Sequence, residues 1–237
     1  MKRSKIVIAS TKSWNLNNAR VLHDDYQDQF DIRIIADRAI LTTEYLEDFM
    51  PEWVFFPHWS WIIPDEITSR WRCVIFHTSP LPWGRGGTPI QNQIARGIYE
   101  SEVCAVRATS ELDAGPVYTR ETIDLSKGSV EEILIQVSSI VFQMIPKIVV
   151  ESMQPKNQTG KPVSFARRKP SDSKLPKQTA SLRSVYDHIR MLDGEGYPPA
   201  FLEWGNQIME LFDARLRSDG SVTGSFRLQI TNKEDKQ

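Results

Sequence analysis

Residues 74–91 read VIFHTSPLPWGRGGTPIQ, and the reading of this stretch decides the fold. Val74 to Phe76 is an apolar strand run that ends on His77, and a loop rich in Pro and Gly follows it. Thr88-Pro89 opens a helix that runs to about Gly97, with a hydroxyl at the N-cap and Pro at the first helical position. Open α/β sheets place ligand sites where a strand delivers a polar side chain at its carboxyl end, before a loop and a helix. An ordinary βα connection with an incidental histidine has the same shape. The flanking chain has to separate the two.

Toward the N-terminus, short apolar runs at 5–10, 53–57 and 73–76 read as buried strands, and 30–35 reads as another strand. Helices are expected between them at 17–27, at 43–50 with Thr42 or Thr43 as cap, and closing at 67–71. Beyond the loop, 101–109 is a strand and 117–124 its extended, hairpin-like partner. Ser129-Val130-Glu131-Glu132 has the form of a capping box, and apolar residues from Val130 to Ile148 fall at helical spacing, with Pro146 expected to kink the end. This alternation predicts a Rossmann-like α/β fold, a doubly wound and mostly parallel sheet.

Residues 154–177 carry four prolines and read as a linker or long docking loop. Residues 181–192 have helical spacing, and 201–216 and 222–230 read as strands separated by a Ser218-Asp219-Gly220 turn. The expected division is a catalytic domain over 1–165 and a small α+β appendage over 166–237, frayed at 233–237.

The apolar and charged fractions, 40% and 25%, are those of a globular protein. A net charge of −1 argues against a global attraction to nucleic acid or acidic membrane surfaces. Cys73 and Cys104, both in apolar runs, are expected to be reduced core residues, since two cysteines make neither a disulfide framework nor a zinc site, and no metal is expected. The run Ile6–Ala9 is too short for a signal peptide, and no apolar run approaches the ~20 residues of a membrane span. A cytoplasmic enzyme or binding protein is the class these features describe, and a homodimer is compatible with them.

Asp113, in the turn-like SELDAGP segment, is the natural partner for His77 if loops from neighbouring strands converge. A carboxylate beside an imidazole fixes its tautomer and stabilises the imidazolium, which suits a proton shuttle. Taken alone, an Asp in a turn is more often a surface residue.

With these residues in place, HTSPLPWGRGGTPIQ resembles the HPSLLPxYRGxxPI signature of the folate-dependent formyltransferases. The separation of His77 from Asp113 fits the family's His-to-Asp spacing, and LDAGPVY looks like its LDTGDI segment. FFPHWSWIIP (55–64) looks like the strand and loop lining the folate pocket. FARRKPSDS and IRMLDGEGYPPAF are similar to the RR-x-P-E-D-G and PGAF elements that begin the family's C-terminal domain.

The resemblance implies transfer of a formyl group from N10-formyltetrahydrofolate to a primary amine. His77 would stabilise the tetrahedral oxyanion and handle the proton, and Asp113 would orient His77. The family carries an Asn two residues before the histidine as a second oxyanion donor, where this chain has Ile75. Asn92 is the expected substitute, with Ser79 behind it. For the donor, Trp59, Trp61 and Ile62 match the apolar wall of the folate pocket. Pro82, Arg85 and Gly86 stand on the histidine loop, and main-chain groups from Thr109 through Leu112 to Asp113 would meet the pterin edge.

For the acceptor, the short tail and the lack of positive charge weigh against tRNA, with Arg167-Arg168-Lys169 keeping it open. The loop after the first strand lacks the glycines of a ribonucleotide phosphate loop. A nucleotide-linked amino sugar is the best remaining fit. SPLPWGRGG with FFPHWSWIIP resembles the formyltransferases of bacterial surface-sugar pathways of pseudaminic-acid type, which implies a UDP-linked amino-dideoxy sugar met by Ser10, Lys12, Trp14, Asn15 and Ser79. Formylation of an aminoacyl-tRNA or carrier-bound amino acid is the alternative. Loss of activity, leaving a folate- or nucleotide-binding protein, is a third reading that Ile75 motivates.

Overall fold

In the computed structural model, which describes residues 3–178 and 180–230, the chain gathers into two units. The first takes in Met1–Gly86, Ser101–Ile123 and Ile135–Phe165; the second takes in Gly87–Glu100, Asp124–Leu134 and Ala166–Gln237. The expected frayed end at 233–237 lies outside the described residues.

The first unit is built on β1 (Ser4–Ala9), α1 (Ser13–Asp25), β2 (Phe30–Ile35), α2 (Thr43–Phe49), β3 (Trp53–Phe56), α3 (Asp65–Thr68) and β4 (Arg72–Thr78). Ile6 to Ala9 and Val54 to Phe56 are almost wholly buried, as a strand covered on both faces requires. β1 pairs parallel with β2 and β3, and β3 pairs parallel with β4. After the short β5 (Trp83–Gly86) and α4 (Pro89–Ile94), β6 (Glu100–Arg107) and β7 (Val117–Asp124) complete a six-stranded sheet of order β2-β1-β3-β4-β6-β7. This is the doubly wound, mostly parallel α/β sheet that the alternation predicts.

Three local details differ from expectation. Helix α1 begins at Ser13, so Trp14 and Asn15 lie in its first turn and not in an open loop. The Asn15 amide donates to Ser10 Oγ at 3.0 Å and to Pro57 O at 3.1 Å, which anchors that turn between the ends of β1 and β3. Strand β4 runs through His77 to Thr78, because its ladder with β6 continues there. That ladder is antiparallel, with His77 opposite Cys104 and Val74 opposite Arg107. The carboxyl end of β6 therefore lies beside the amino half of β4, and the following loop has to come back to reach the histidine.

The long helix α5 (Val130–Val150) starts at the expected capping box: Ser129 N–H donates to Glu132 Oε2 at 2.8 Å, and Glu132 N–H to Ser129 Oγ at 3.2 Å. Its 21 residues are long and apolar enough to cross a bilayer, contrary to the sequence expectation. Val130, Ile133, Val141, Met144, Ile145 and Ile148 are buried, and a face of that kind belongs to a core helix. Strand β8 (Val163–Phe165) pairs parallel with β5 inside the region read as a linker. Cys73 and Cys104 are free, buried thiols, pushed up to about 12 and about 11 by burial.

The second unit holds α6 (Leu182–Arg190), capped by Ser181, and β9 (Ala200–Trp204), β10 (Gln207–Leu216) and β11 (Val222–Ile230) in the order β11-β10-β9. The single expected strand at 201–216 is thus two strands, folded at Gly205 where φ is +63°. Arg190 is 1% exposed; it donates to Asp187 Oδ1 at 2.6 Å and to the carbonyls of Leu125 and Gly128 at 2.7 and 3.0 Å.

Candidate active site

The order β4, tight loop, β5 fixes where His77 can point. Ser79 hydroxyl donates to Trp83 O at 2.8 Å and Gly84 O at 3.1 Å, closing the loop on itself. Gly84 has φ of +82°, and a Cβ there would lie 2.8 Å from both Ser79 Oγ and Phe165 Cε2, so glycine alone fits. The turn presents Gly84 O to the ring, 2.8 Å from His77 Nε2. A carbonyl only accepts, so Nε2 carries a hydrogen.

The other ring nitrogen, Nδ1, lies 3.4 Å from Asp113 Oδ2, and both side chains are 8% exposed. Asp113 is held in the left-handed region at φ +53°, in the loop 108–116 between β6 and β7. That loop is closed at its base by Arg107 N–H on Pro116 O, and it packs so tightly that a Cβ on Gly115 would lie 1.9 Å from Arg107 O. The Asp113 Oδ2 that faces His77 also accepts Gly86 N–H at 2.9 Å. Sequence reasoning expected parallel strand ends to bring the pair together. The structure joins them differently, by a loop returning from an antiparallel neighbour.

This constellation can do acid–base work. A neutral ring donates at Nε2 and leaves a lone pair toward the carboxylate; a second proton at Nδ1 would find Asp113. Ile75, one pleat below His77, packs its half-buried side chain against Leu81, Cys104, Val106 and Val117 and offers no donor.

Asn92 belongs to the second unit, where its amide nitrogen lies 3.1 Å from Gly87 O, Thr88 O, Thr88 Oγ1 and Ala166 O. Its oxygen accepts from Arg96 Nη1 at 2.8 Å. These bonds also revise Thr88: it sits left-handed at φ +46° without capping α4, and its hydroxyl oxygen serves Asn92 and the main-chain N–H of Arg168.

Of the residues expected to meet the acceptor, Ser10, Asn15 and Ser79 are at most 2% exposed and hydrogen-bonded to protein, so they brace loops. Lys12 lies over the Trp14 ring at 5.3 Å, and Trp14 meets His58 edge-on at 6.3 Å. Among the donor-site expectations, Trp59 packs edge-on against Phe56 and Trp61, and its Nε1 is buried without a partner among the described residues. Trp61 and Ile62 are 37% and 89% exposed. Leu112 is exposed, Thr109 Oγ1 donates to Glu111 O at 3.0 Å, and Pro82 O accepts Val163 N–H at 3.1 Å. Gly86 abuts Phe165 O, where a Cβ would lie 2.6 Å away.

Arg85 donates to Gln158 Oε1 from Nε and Nη2 at 3.1 and 2.9 Å, and to Glu111 from Nη1 at 3.1 Å. Gln158 went unnoticed in the sequence because it sits in the proline-rich segment, where no periodicity marks it.

A family model described as "Formyl transferase" matches residues 26–149, and one described as "Methionyl-tRNA formyltransferase, C-terminal domain" matches residues 170–229. The solved methionyl-tRNA formyltransferase from Clostridium thermocellum superposes with a TM-score of 0.92 at 38% identity, over 96% of this chain and 100% of that one. The curated methionyl-tRNA formyltransferase of Bacillus mycoides (strain KBAB4) is 24% identical over 169 residues, 68% of this chain and 53% of that protein. The chain spans about half the length of the curated relatives it matches. A sugar N-formyltransferase from Shewanella sp FDAARGOS_354 shares the fold, with a TM-score of 0.66 at 18% identity over 98% of this chain and 99% of that one.

These findings overturn the expected UDP-amino-sugar acceptor, since the far stronger likeness is to the methionyl-tRNA enzyme. The assignment to the pseudaminic-acid type and the reading of nucleic acid as an unlikely partner lose their support with it. Net charge and a short tail do not identify the acceptor. Net charge averages over a whole surface, and the tail at 170–229 matches a C-terminal domain of the methionyl-tRNA type.

Proposed function

The chain belongs to the formyl transferase family, and on that premise we propose that it moves a formyl group from N10-formyltetrahydrofolate to the α-amine of methionyl-tRNA. The observation that carries the acceptor is the full-length likeness, at 38% identity, to the Clostridium thermocellum methionyl-tRNA formyltransferase. The buried His77–Asp113 pair supports the chemistry.

The residues present fit a flat heteroaromatic donor. Trp59 holds an indole N–H that is buried without a partner among the described residues, and it packs beside the partly exposed Trp61, which offers one donor and one apolar wall. Bound N10-formyltetrahydrofolate supplies the formyl carbon that the amine attacks. As the amine added, negative charge would grow on the formyl oxygen, and His77 Nε2–H, which donates to Gly84 O at 2.8 Å, would be the donor for it. Collapse would then break the formyl C–N10 bond, the proton lost by the amine passing to N10 as tetrahydrofolate leaves. A preorganised donor of this kind is worth roughly 3 kcal/mol, a factor on the order of 100 in rate. Gly84 O holds the neutral ring's orientation, and Asp113 accepts from Nδ1 and stabilises the ring once that nitrogen carries a second proton.

The test is incubation with N10-formyltetrahydrofolate and methionyl-tRNA, scoring release of tetrahydrofolate. Release that requires the charged tRNA supports the reading. Release that is absent with methionyl-tRNA, in protein that still binds tetrahydrofolate, contradicts it.

A further inference from the structure

We propose that Gln158 is a positioning residue that holds the Asp113 carboxylate in place beside His77; this rests on the formyl-transfer reading of that pair. The side-chain amide of Gln158 uses its full hydrogen-bonding capacity. Its two N–H groups donate to the main-chain carbonyls of Asp113 at 2.7 Å and Gly115 at 2.8 Å. Its oxygen accepts Arg85 Nε at 3.1 Å and Nη2 at 2.9 Å. The partners fix the orientation of the amide. Carbonyls only accept and a guanidinium only donates, so a flipped amide would face acceptor with acceptor and donor with donor.

These bonds close a ring around the catalytic carboxylate. Gly86 N–H holds Asp113 Oδ2, and the neighbouring Arg85, acting through Gln158, holds the carbonyl of the same aspartate. Asp113 is therefore gripped at its side chain and at its main chain by two consecutive residues of β5. It needs that grip. Its backbone is left-handed at φ +53°, which a non-glycine residue keeps only when its surroundings impose it. The loop also arrives from an antiparallel strand whose end points away from His77. Glu111, 77% exposed at its side chain, adds only a surface ion pair to Arg85, so the amide carries the link.

Gln158→Glu separates this role from simple bulk. It keeps an acceptor for Arg85 and replaces the two donors with a carboxylate facing two carbonyls. Gln158→Met, similar in length and without donors or acceptors, serves if the first variant folds poorly. Two readouts are independent of each other. The first is hydrogen–deuterium exchange of the Gly86 amide, expected to quicken at least about tenfold as its Asp113 acceptor drifts away. The second is turnover, expected to fall about 10- to 100-fold in kcat, with KM for the formyl donor changed less than about threefold.

In an Asp113→Asn background the same substitution should cost less than about twofold more, because a residue acting through Asp113 loses its effect once that carboxylate is gone. An unchanged Gly86 exchange rate, an unchanged kcat, or losses that multiply in the double variant would each overturn the proposal. If the wild-type chain transfers no formyl group, the functional reading fails, and the Gly86 exchange arm still decides the clamp.

Discussion

Asp113 Oδ2 stands 3.4 Å from His77 Nδ1 and 2.9 Å from the main-chain N–H of Gly86, so one carboxylate oxygen serves both the ring and the loop that the ring leans on. The loop's other contact with the histidine, Gly84 O on Nε2, sets the tautomer. Loop, carboxylate and imidazole thus form one unit. A change that moves the loop 108–116 should act on chemistry before it acts on the fold.

Gly115→Ala is the sharpest steric test of that coupling. The added methyl would sit 1.9 Å from Arg107 O, at the base of the loop that carries Asp113. We expect a stability loss of about 1–3 kcal/mol from overpacking and a fall in turnover of at least about tenfold. Chemical denaturation and steady-state kinetics check it. Wild-type turnover in a destabilised variant would show that the loop's position does not matter to the reaction.

Arg190→Leu should be among the most damaging single changes in the second unit. It removes a wholly buried cation from Asp187 and strips the carbonyls of Leu125 and Gly128 of their donor. Asp187 retains Arg183 and the Tyr99 hydroxyl, so its charge is not left bare. Each buried carbonyl that loses its donor costs about 1–3 kcal/mol, so the two together should cost about 2–6 kcal/mol. Urea unfolding measures it, and a loss below about 1 kcal/mol would show that Arg190 is not the staple its contacts describe.

His188 makes stability depend on acid. Burial lowers its pKa from the ordinary imidazole value, and the Arg168 charge lowers it further, against the opposing bond from Nε2–H to Ser173 O. The folded protein thus keeps the ring neutral where the unfolded chain takes a proton. Its contribution is complete above the unfolded pKa, about 6.5, and is lost as pH falls through and below it. The melting temperature should drop between pH 7.5 and 5.5, and His188→Gln, which keeps an N–H for Ser173 O, should drop less. Equal acid sensitivity in the two proteins would place the effect elsewhere.

The sequence was most legible where local pattern decides structure. Apolar runs mark β1, β3 and β4, and Ser129 with Glu132 marks the start of α5. His77 and Asp113 were found through motif spacing, and the structure brings them together. They do not meet over parallel strand ends, because strand direction is a tertiary property and β6 runs antiparallel to β4. Thr88 has the composition of an N-cap, but Asn92 and Arg168 compete for its hydroxyl. Ser10 and Asn15 have the composition of ligand contacts, and the bond between them and the bond from Asn15 to Pro57 O emerge only when β1 and β3 lie side by side. Gln158 was invisible for the same reason: its partners are 43 to 73 residues distant.

The most direct test of the central claim is transfer of labelled formyl from N10-formyltetrahydrofolate to methionyl-tRNA by the wild-type chain and by His77→Ala. The account predicts formyl-methionyl-tRNA with the wild type and a rate lower by a factor on the order of 100 or more with the variant, while tetrahydrofolate binding stays within about threefold. Equal transfer by both proteins would contradict it, because the imidazole beside Asp113 would then have no part in the reaction.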